Sequence, residues 1–495
     1  MIVTIEGSVK RSYAEALCLL FFPGAKFPED EIPSPDVPAV TIRSRFEDGK
    51  AIADVALVLH GEAHEAHAER LLSERQDQLL TEKIVVGEAF LTVGRELTGR
   101  TPPWGILTGV RPAKVTSKYL ADGLNEEEAA EALSETYLTS PEKARLAAAV
   151  SVSEARMLPP DAAEACSVYI AIPFCPSRCS YCSFVSVASP RLLGMIPAYL
   201  EQLFGEIHDT FALIRSLGRR VASVYIGGGT PTTLDSVQLD ALLSAIEREV
   251  DPASLEEFTL EAGRPDTITE DKLRVAKSHG VTRISVNPQT LNEDVLRHIG
   301  RRHTVEQFFE AYETALRVGI RNINVDLIAG LETDTAESFY RSLDQVLLLA
   351  PQNVTVHTFS VKRSADVLQE NRNIYDRETT EAEKSVSYSQ KQLFAAGYTP
   401  YYMYRQKNMI GNLENVGYAK PGHESPYNVY MMEEIHPIFG VGASAVTKLI
   451  GPKEGGGVIM ERIFEPKYPY EYLNGENLRR AAEKRQRILA FYGLT

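Results

Sequence analysis

Cysteine is scarce in this sequence, with five residues among 495. So few cysteines, and an odd number of them, argue against a disulfide framework and indicate a reducing compartment. The sequence has no uncharged apolar run near the roughly 18 residues that a membrane-spanning helix needs. Its first residues also lack the pattern of a secretory signal. We therefore expect a soluble, cytoplasmic protein without a membrane span.

Basic residues are outnumbered by acidic ones. The chain has 52 Lys and Arg against 67 Asp and Glu, which gives a formal net charge of −15. An acidic surface repels phosphate backbones and anionic lipids, so the charge argues against a nucleic-acid partner. Apolar residues make up 44% of the chain, which is enough for large buried cores. The length predicts two or three domains.

Changes in sequence pattern predict three domains. Residues 1–160 are expected to form an N-terminal α/β domain of unknown role. Its predicted elements are strands at Ile2–Ile5, Val40–Phe46 and Ile52–Leu59 and helices at Tyr13–Phe22 and His64–Leu97. Residues 165–393 alternate strand and helix patterns, which predicts an α/β fold with a parallel sheet or an open βα barrel. The alternation of strand and helix patterns ends near residue 394, and residues 394–495 are expected to form a small C-terminal α+β accessory domain.

Six β-branched runs are the predicted strands of the central domain. They are Val168–Ile172, Val221–Ile226, Phe258–Leu260, Arg283–Val286, Asn322–Ile328 and Asn353–Phe359. The working residues of a βα barrel lie where its strands end. Polar or glycine residues stand at the end of every predicted strand, namely the cysteine loop, Gly227–Thr232, Glu261, Asn287–Gln289, Asp326 and His357. That convergence predicts a functional site at one edge of the sheet.

Three of the five cysteines lie within one short loop after the first of these strands. They are Cys175, Cys179 and Cys182. A CxxxCxxC loop offers three thiolates, which suits a [4Fe–4S] cluster whose fourth iron stays open to a ligand. A zinc knot completed by Cys166 or a distant His is the alternative. Cys18 lies on an apolar helix and is expected in the core.

Small and polar residues at the other strand ends predict a small-molecule site. Gly228 and Gly229 lack side chains, so their backbone can approach a bound ligand closely, although a glycine turn before a helix is the alternative. Four further polar side chains could hydrogen-bond a ribose and a zwitterionic amino acid, or form structural ion pairs. They are Glu261, Gln289, Arg301 and Asp326.

Two motifs resemble those of the radical S-adenosylmethionine (SAM) superfamily. They are Tyr169-Ile-Ala-Ile-Pro-Phe-Cys175-x3-Cys179-Ser-Tyr-Cys182 and Gly227-Gly-Gly-Thr-Pro-Thr232. More narrowly, the match from Tyr169 to Leu331 resembles the oxygen-independent coproporphyrinogen III oxidase-like branch. The N-terminal extension, with its Thr-Gly-Val-Arg-Pro loop, is similar to HemZ-type coproporphyrinogen dehydrogenases. The resemblance implies a partial (β/α)6 TIM-like barrel, a [4Fe–4S] cluster and SAM as cofactors, and a place in heme biosynthesis.

The resemblance also implies roles for particular residues. Cys175, Cys179 and Cys182 would ligate the cluster, and SAM would chelate its fourth iron. The implied SAM contacts are Tyr169, Tyr181, Gly228, Gly229, Thr230, Glu261, Gln289, Arg301 and Asp326. An electron donor such as flavodoxin or ferredoxin would reduce the cluster, and no catalytic side chain is implied.

The reaction implied by this family is the oxidative decarboxylation of coproporphyrinogen III to protoporphyrinogen IX. A 5′-deoxyadenosyl radical takes a hydrogen atom from a propionate side chain, and decarboxylation leaves a vinyl group. The sequence departs from the oxidases at one point, because they continue the loop as Cys-x-Cys whereas Ser183 and Phe184 follow Cys182 here. Related heme carriers also have Phe there, so a heme chaperone and a radical SAM enzyme with another substrate are alternatives.

Two sets of residues would discriminate between these functions. A pocket for tetrapyrrole propionates needs cations, for which the candidates are Arg264, Arg363 and Arg405. Heme carriage needs an axial ligand, for which the candidates are His357, His423 and His436.

Overall fold

The computed structural model describes residues 1–72, 77–360, 374–406, 409–453 and 457–494, leaving out the side chains of residues 374–379. The chain divides into two compact units. The first comprises Met1–Val152, Arg372–Glu383 and Met403–Asn415, and the second comprises Ser153–Asn371, Lys384–Tyr402 and Val416–Thr495. The predicted division into three domains near residues 160 and 393 stays a prediction.

A four-stranded sheet and two helices form the core of the first unit. The strands are β1 (Ile2–Glu6), β2 (Ala39–Glu47), β3 (Lys50–Leu59) and β4 (Glu62–Leu71), in that order across the sheet, with only β1 and β2 parallel. The helices are α1 (Arg11–Phe21) and α2 (Gln78–Thr98), followed by α3 (Ala113–Ala121), α4 (Glu126–Tyr137) and α5 (Pro141–Met157). Cys18 of α1 is fully buried in this core, as the apolar helix predicts.

The predicted helix at His64–Leu97 is wrong in its first part. The segment from Glu62 to Leu71 is strand β4, which pairs antiparallel with β3 along its whole length. Alanine and glutamate favour helix in isolation, but exposed and half-buried residues alternate along β4. That period of two matches a sheet face, so pairing with β3 overrides the helical propensity. From Gln78 to Leu97 the predicted helix is confirmed as α2.

A buried polar cluster ties the loop that contains the only tryptophan to a distant part of the first unit. Trp104 Nε1 donates to Glu414 Oε2 (2.8 Å), and Lys143 Nζ donates to Glu414 Oε1 (2.7 Å). The Arg405 guanidinium lies 5.4 Å from the centre of the Trp104 ring, and its Nη1 donates to the carbonyl oxygen of Leu107 (2.5 Å). These contacts hold Arg405, a candidate propionate ligand, in a structural role within this unit.

The second unit is built from alternating strands and helices. Its strands are β5 (Ala165–Ile172), β6 (Arg220–Gly228), β7 (Glu257–Glu261), β8 (Arg283–Ser285), β9 (Asn322–Ala329), β10 (Asn353–Thr358), β11 (Thr399–Tyr404), β12 (Asn415–Ala419), β13 (Ile438–Val441), β14 (Val446–Pro452) and β15 (Val458–Phe464). Its helices are α6 (Pro190–Leu193), α7 (Ile196–Ser216), α8 (Ser236–Glu247), α9 (Glu270–Ser278), α10 (Glu293–His298), α11 (Val305–Val318), α12 (Ala336–Leu349), α13 (Ile374–Ala395), α14 (Pro426–Glu433), α15 (Pro469–Tyr472) and α16 (Asn477–Phe491). A few of these elements extend across the division between the units.

Six parallel strands, β5 to β10, lie in chain order at the centre of an open sheet. The whole order is β11-β12-β10-β9-β8-β7-β6-β5-β13-β14-β15. All six strands predicted from the sequence are present, and the α/β fold with a partial barrel is confirmed. The last strands extend the sheet at both edges, with β12 antiparallel to β10 and β13 parallel to β5.

Burial explains why these runs form parallel strands. Seven of the eight residues of β5 are buried, as expected of a strand covered on both faces. In β9 the odd-numbered Ile323, Val325 and Leu327 are fully buried, while Asn324 and Asp326 lie on the opposite face. This alternation directs polar side chains to one face of the sheet. Among the residues described, no helix is long and apolar enough to span a membrane.

Candidate active site

The cysteine loop starts where β5 ends and is closed by backbone hydrogen bonds. Cys175 N donates to the carbonyl of Val187 (3.0 Å), and Val187 N donates to the carbonyl of Pro173 (2.9 Å). Inside the loop, Cys182 N donates to the carbonyl of Cys179 (3.2 Å). The predicted cluster ligands are thus held on one loop at the C-terminal edge of the parallel strands.

The thiols of this loop are largely buried. Cys175 and Cys179 are 8% and 7% exposed, and Cys182 is half-buried. Burial raises the pKa of the Cys175 thiol, and it raises the pKa of Cys182 to about 11. Buried thiols of this kind are poor free nucleophiles, whereas bound iron favours their thiolate form. The loop is therefore suited to ligation rather than to nucleophilic catalysis.

The glycine turn after β6 crosses directly over the cysteine segment. Gly229 N donates to the carbonyl of Ile172 (2.9 Å), and Thr230 N donates to the carbonyl of Phe174 (2.7 Å). A Cβ on Gly229 would lie 2.6 Å from the carbonyl oxygen of Phe174 and 3.0 Å from Cys175 Sγ. The close approach that requires glycine here is therefore to the protein's own backbone, which the sequence alone did not indicate.

A carboxylate and stacked tyrosines line the adjoining strands. Tyr225 OH donates to Glu261 Oε1 (2.6 Å). The ring of Tyr225 stacks on Tyr427 with centroids 4.5 Å apart, and on Tyr169, its register partner on β5, at 6.0 Å. Burial raises the pKa of Glu261 to about 7, and the nearby charge of Asp326 contributes to the rise. Neither Tyr225 nor Tyr427 was predicted from the sequence.

A network of side-chain amides fixes Asp326. Asn287 Nδ2 donates to Asp326 Oδ2, and Asn324 Nδ2 donates to Oδ1, both at 2.7 Å. Gln289 beside it has φ 70°, an uncommon backbone conformation for a residue with a side chain. Its Oε1 is buried and has no hydrogen-bond partner among the described residues. Backbone strain together with an unpaired buried oxygen is typical of a ligand site.

Two arginines flank the cysteine loop. Arg301 Nε donates to Tyr181 OH (3.2 Å), and Arg301 Nη1 donates to the carbonyls of Gly263 (3.0 Å) and Asn287 (2.8 Å). Arg264 is buried against the loop itself, with Nη1 3.6 Å from Cys179 Sγ. Arg264 was a candidate propionate ligand, and the structure places it as a donor to a cysteine sulfur instead.

The candidate heme ligands are dispersed. His436 Nε2 lies 2.8 Å from Ser167 Oγ near the start of β5, and His423 Nδ1 lies 2.6 Å from Asn322 Oδ1 at the start of β9. Both lie at the strand ends opposite the cysteines. His357 alone of the three lies beside the predicted site, with Nε2 3.7 Å from Asp326 Oδ2. Arg363 lies outside the described residues.

The predicted site residues come together in the second unit. The cysteine loop, the glycine turn, Glu261 and Gln289 lie at the C-terminal ends of β5 to β8 or in the turns that follow, Asp326 lies within β9, and Arg301 follows α10. Three thiols on one loop leave an open corner on a [4Fe–4S] cluster. The unpaired Gln289 oxygen and the Glu261 and Asp326 carboxylates offer acceptors for amino and hydroxyl groups. The side chains present therefore fit both a cluster and a polar ligand such as SAM.

The geometry does not suit the zinc alternative. Cys166 is the second residue of β5, so the rest of the strand separates it from the cysteine loop by roughly 20 Å at the usual strand rise. In the parts of the chain that the structure describes, no three His, Cys, Asp or Glu side chains converge on one metal ion. A [4Fe–4S] cluster differs in binding each cysteine to a separate iron.

Comparison with known proteins identifies relatives over most of the chain. The family model for the radical SAM superfamily matches residues 169–346. The oxygen-independent coproporphyrinogen-III oxidase-like protein HemZ of Bacillus subtilis (strain 168) is 38% identical over 398 residues, which are 79% of this chain and 78% of that protein. The heme chaperone HemW of the same strain is 31% identical over 61% of this chain and 77% of its own length.

Among solved structures, the coproporphyrinogen III oxidase HemN from Escherichia coli is similar with a TM-score of 0.48 and 22% identity. The similarity covers 68% of this chain and 78% of that one. The sequence relationship to HemZ extends over more than two thirds of both proteins. This chain therefore belongs to the radical SAM superfamily, within the oxygen-independent coproporphyrinogen III oxidase-like family, and its cofactors are a [4Fe–4S] cluster and SAM.

Proposed function

We propose that this protein is a radical SAM oxidoreductase that decarboxylates two propionate side chains of coproporphyrinogen III to vinyl groups in heme biosynthesis. The observation that carries the proposal is the cysteine loop, which lies beside buried polar side chains in a chain related to HemZ. The bound cofactors would supply the radical that removes a hydrogen atom from a propionate, after which carbon dioxide leaves, one electron passes to an acceptor and the vinyl group forms.

The protein's own tasks are binding and orientation. Cys175, Cys179 and Cys182 would hold the cluster. The SAM contacts would be Tyr169, Tyr181, Gly228, Gly229, Thr230, Glu261, Gln289, Arg301 and Asp326. The stacked rings of Tyr169, Tyr225 and Tyr427 lie beside Glu261, which supports exclusion of water from the reacting centre. An electron donor such as flavodoxin or ferredoxin would act at the cluster.

The test is an anaerobic turnover experiment. The cluster is reconstituted, and coproporphyrinogen III and 5′-deoxyadenosine are followed by mass spectrometry after SAM and dithionite are added. We expect loss of two carboxyl groups together with deoxyadenosine formation. Cys179→Ala should abolish the cluster's visible absorbance and SAM cleavage, while Ser180→Ala on the same loop should retain both. SAM cleavage without any loss of carboxyl groups would contradict the proposed substrate.

Heme handling is the second candidate function, favoured by the relatives named heme chaperones and by Phe184 after the last cysteine. Phe184 is 69% exposed, so it offers an apolar surface beside the cysteine loop. Of the three candidate axial ligands, His357 is the one placed beside the site. A heme absorbance spectrum that persists through gel filtration and disappears in His357→Ala would support a chaperone.

A further inference from the structure

We infer that the buried Arg264 and the half-buried Asp266 form a charge pair that sets the reduction potential of the cluster, with Arg264 raising it and Asp266 lowering it. The inference rests on the proposed function in one respect, since it requires the cluster on the cysteine loop. It adds two positioning residues to the three cysteines, and neither would touch SAM or substrate through these contacts.

The geometry places the guanidinium against a ligand sulfur. Arg264 Nη1 lies 3.6 Å from Cys179 Sγ and donates weakly to the carbonyl of Ser177 (3.4 Å). Arg264 Nη2 donates to Ser177 Oγ (3.0 Å). The Arg264 side chain is 4% exposed, so solvent screens its charge little. A donor on a ligand sulfur is one of the features that set cluster potentials.

Asp266 holds the guanidinium in this orientation. Its Oδ1 accepts from Arg264 Nε (3.0 Å), and its Oδ2 accepts from Arg264 Nη2 (3.1 Å). This bidentate pair leaves Nη1 to face the sulfur. The turn Gly263-Arg264-Pro265-Asp266 after β7 supplies both partners, and a short 3₁₀ turn at Pro265–Thr267 fixes their spacing.

Two other titratable residues near Cys179 differ from this pair, one in its charge and the other in its contacts. His303 is buried, and burial followed by the charge of Arg301 lowers its pKa to about 3, so its imidazole is neutral at ordinary pH. Arg301 also lies near Cys179, and its hydrogen bonds go to Tyr181, Gly263 and Asn287 rather than to a cysteine sulfur.

The sign of each effect follows from charge balance. Reduction adds one electron to the cluster, so a nearby positive charge stabilises the reduced form and a negative charge destabilises it. Arg264→Met leaves the Asp266 carboxylate unpaired beside the loop and should lower the potential. Asp266→Asn leaves the guanidinium unpaired and should raise it. A purely structural pair would not give shifts of opposite sign.

The experiment is a redox titration of the reconstituted cluster, followed by electron paramagnetic resonance without SAM or substrate. We expect each variant to change the ratio of reduced to oxidised cluster at least tenfold at a fixed potential, which is about 59 mV for one electron. Arg302→Met removes an exposed positive charge from a nearby turn and is the matched control, with no comparable shift expected.

The outcomes separate this inference from the proposed function. Unchanged potentials in both variants, or shifts in the same direction, would overturn the charge-pair inference while leaving decarboxylation untouched. If Arg264→Met does not retain iron, the inference is tested by Asp266→Asn alone, because this variant keeps the Arg264 guanidinium. A potential that does not rise in Asp266→Asn would then overturn the inference. A wild-type protein that assembles no cluster would instead contradict the proposed function itself.

Discussion

Glu261 shows how burial of one carboxyl group prepares a binding site. Its pKa of about 7 reflects burial first, while the Tyr225 hydroxyl and the Gly228 N–H stabilise the carboxylate and Asp326 opposes it. A carboxyl group with this pKa changes charge within the physiological range. Its protonation state therefore sets how strongly it accepts hydrogen bonds from a bound ligand.

SAM binding should depend on pH through Glu261. Because an acid with a pKa of about 7 is protonated below that pH, we expect the dissociation constant for SAM to rise as pH falls from 8 to 6. At most, the dissociation constant should rise about tenfold for each pH unit. Equilibrium binding of SAM to the reconstituted protein at several pH values measures this dependence.

Two variants test the assignment to Glu261. Glu261→Gln should bind SAM weakly at every pH, and its dissociation constant should no longer depend on pH. Tyr225→Phe removes the donor to Glu261 Oε1 and should move the midpoint of the profile to higher pH, because the carboxylate loses a stabilising hydrogen bond. A wild-type profile that is flat between pH 6 and 8 would show that Glu261 does not contact SAM.

At Gly229, even the methyl group of an alanine should disturb the cysteine segment. Gly229→Ala would place a methyl group 2.6 Å from the carbonyl oxygen of Phe174, so the cysteine segment has to move. We expect loss of most bound iron after reconstitution, measured by iron content and visible absorbance. Gly205→Ala on α7 is the control, because its Cβ would meet nothing within 4 Å. Equal iron content in the two variants would contradict this geometry.

At the scale of secondary structure, the C-terminal helix is joined to the sheet by a buried ion network. Lys484 of α16 donates to Glu206 Oε1 of α7 (2.9 Å), to Glu465 Oε1 (2.6 Å) and to the carbonyl of Gly440 on β13 (2.7 Å). Strand β13 pairs with β5, which carries Tyr169. The network thus supports the strand that precedes the cysteine loop.

Removing the charge of Lys484 should destabilise the second unit. Lys484→Met leaves Glu206 and Glu465 buried without their cation, and breaking a buried pair in this way costs about 3–5 kcal/mol. Urea unfolding followed by circular dichroism measures the loss. Arg479→Met on the same helix removes an exposed ion pair with Glu476 and should have little effect on stability, because water screens an exposed pair. Similar losses in both variants would refute the structural role of the network.

At the scale of the whole molecule, the two units have different kinds of core. The first combines a mostly antiparallel sheet with helices and a buried polar cluster around the only tryptophan. The second contains the parallel strands and every cysteine of the predicted cluster site. Trp104 fluorescence therefore reports on the first unit, and cluster absorbance reports on the second.

The buried pair of Lys143 and Glu414 should govern the tryptophan signal. Their side chains are 5% and 0% exposed, so Lys143→Met should destabilise the first unit by about 3–5 kcal/mol. The midpoint of denaturation followed by Trp104 fluorescence measures this change. Lys118→Met, at an exposed position, is the control. Adding Glu414→Gln should recover part of the loss, since it removes the negative charge that Lys143 no longer balances.

The sequence by itself determined the six parallel strands, the cysteine loop and the polar residues at the strand ends, because these depend on local patterns of burial and spacing. It did not determine β4, whose pairing with β3 overrides helical propensity. Only the tertiary structure shows that Tyr225 and Tyr427 lie together beside Glu261 and that Arg264 contacts Cys179. It also shows that His423 and His436 lie at the strand ends opposite the cysteines. Such contacts join residues far apart in the chain, and the packing of whole elements decides them.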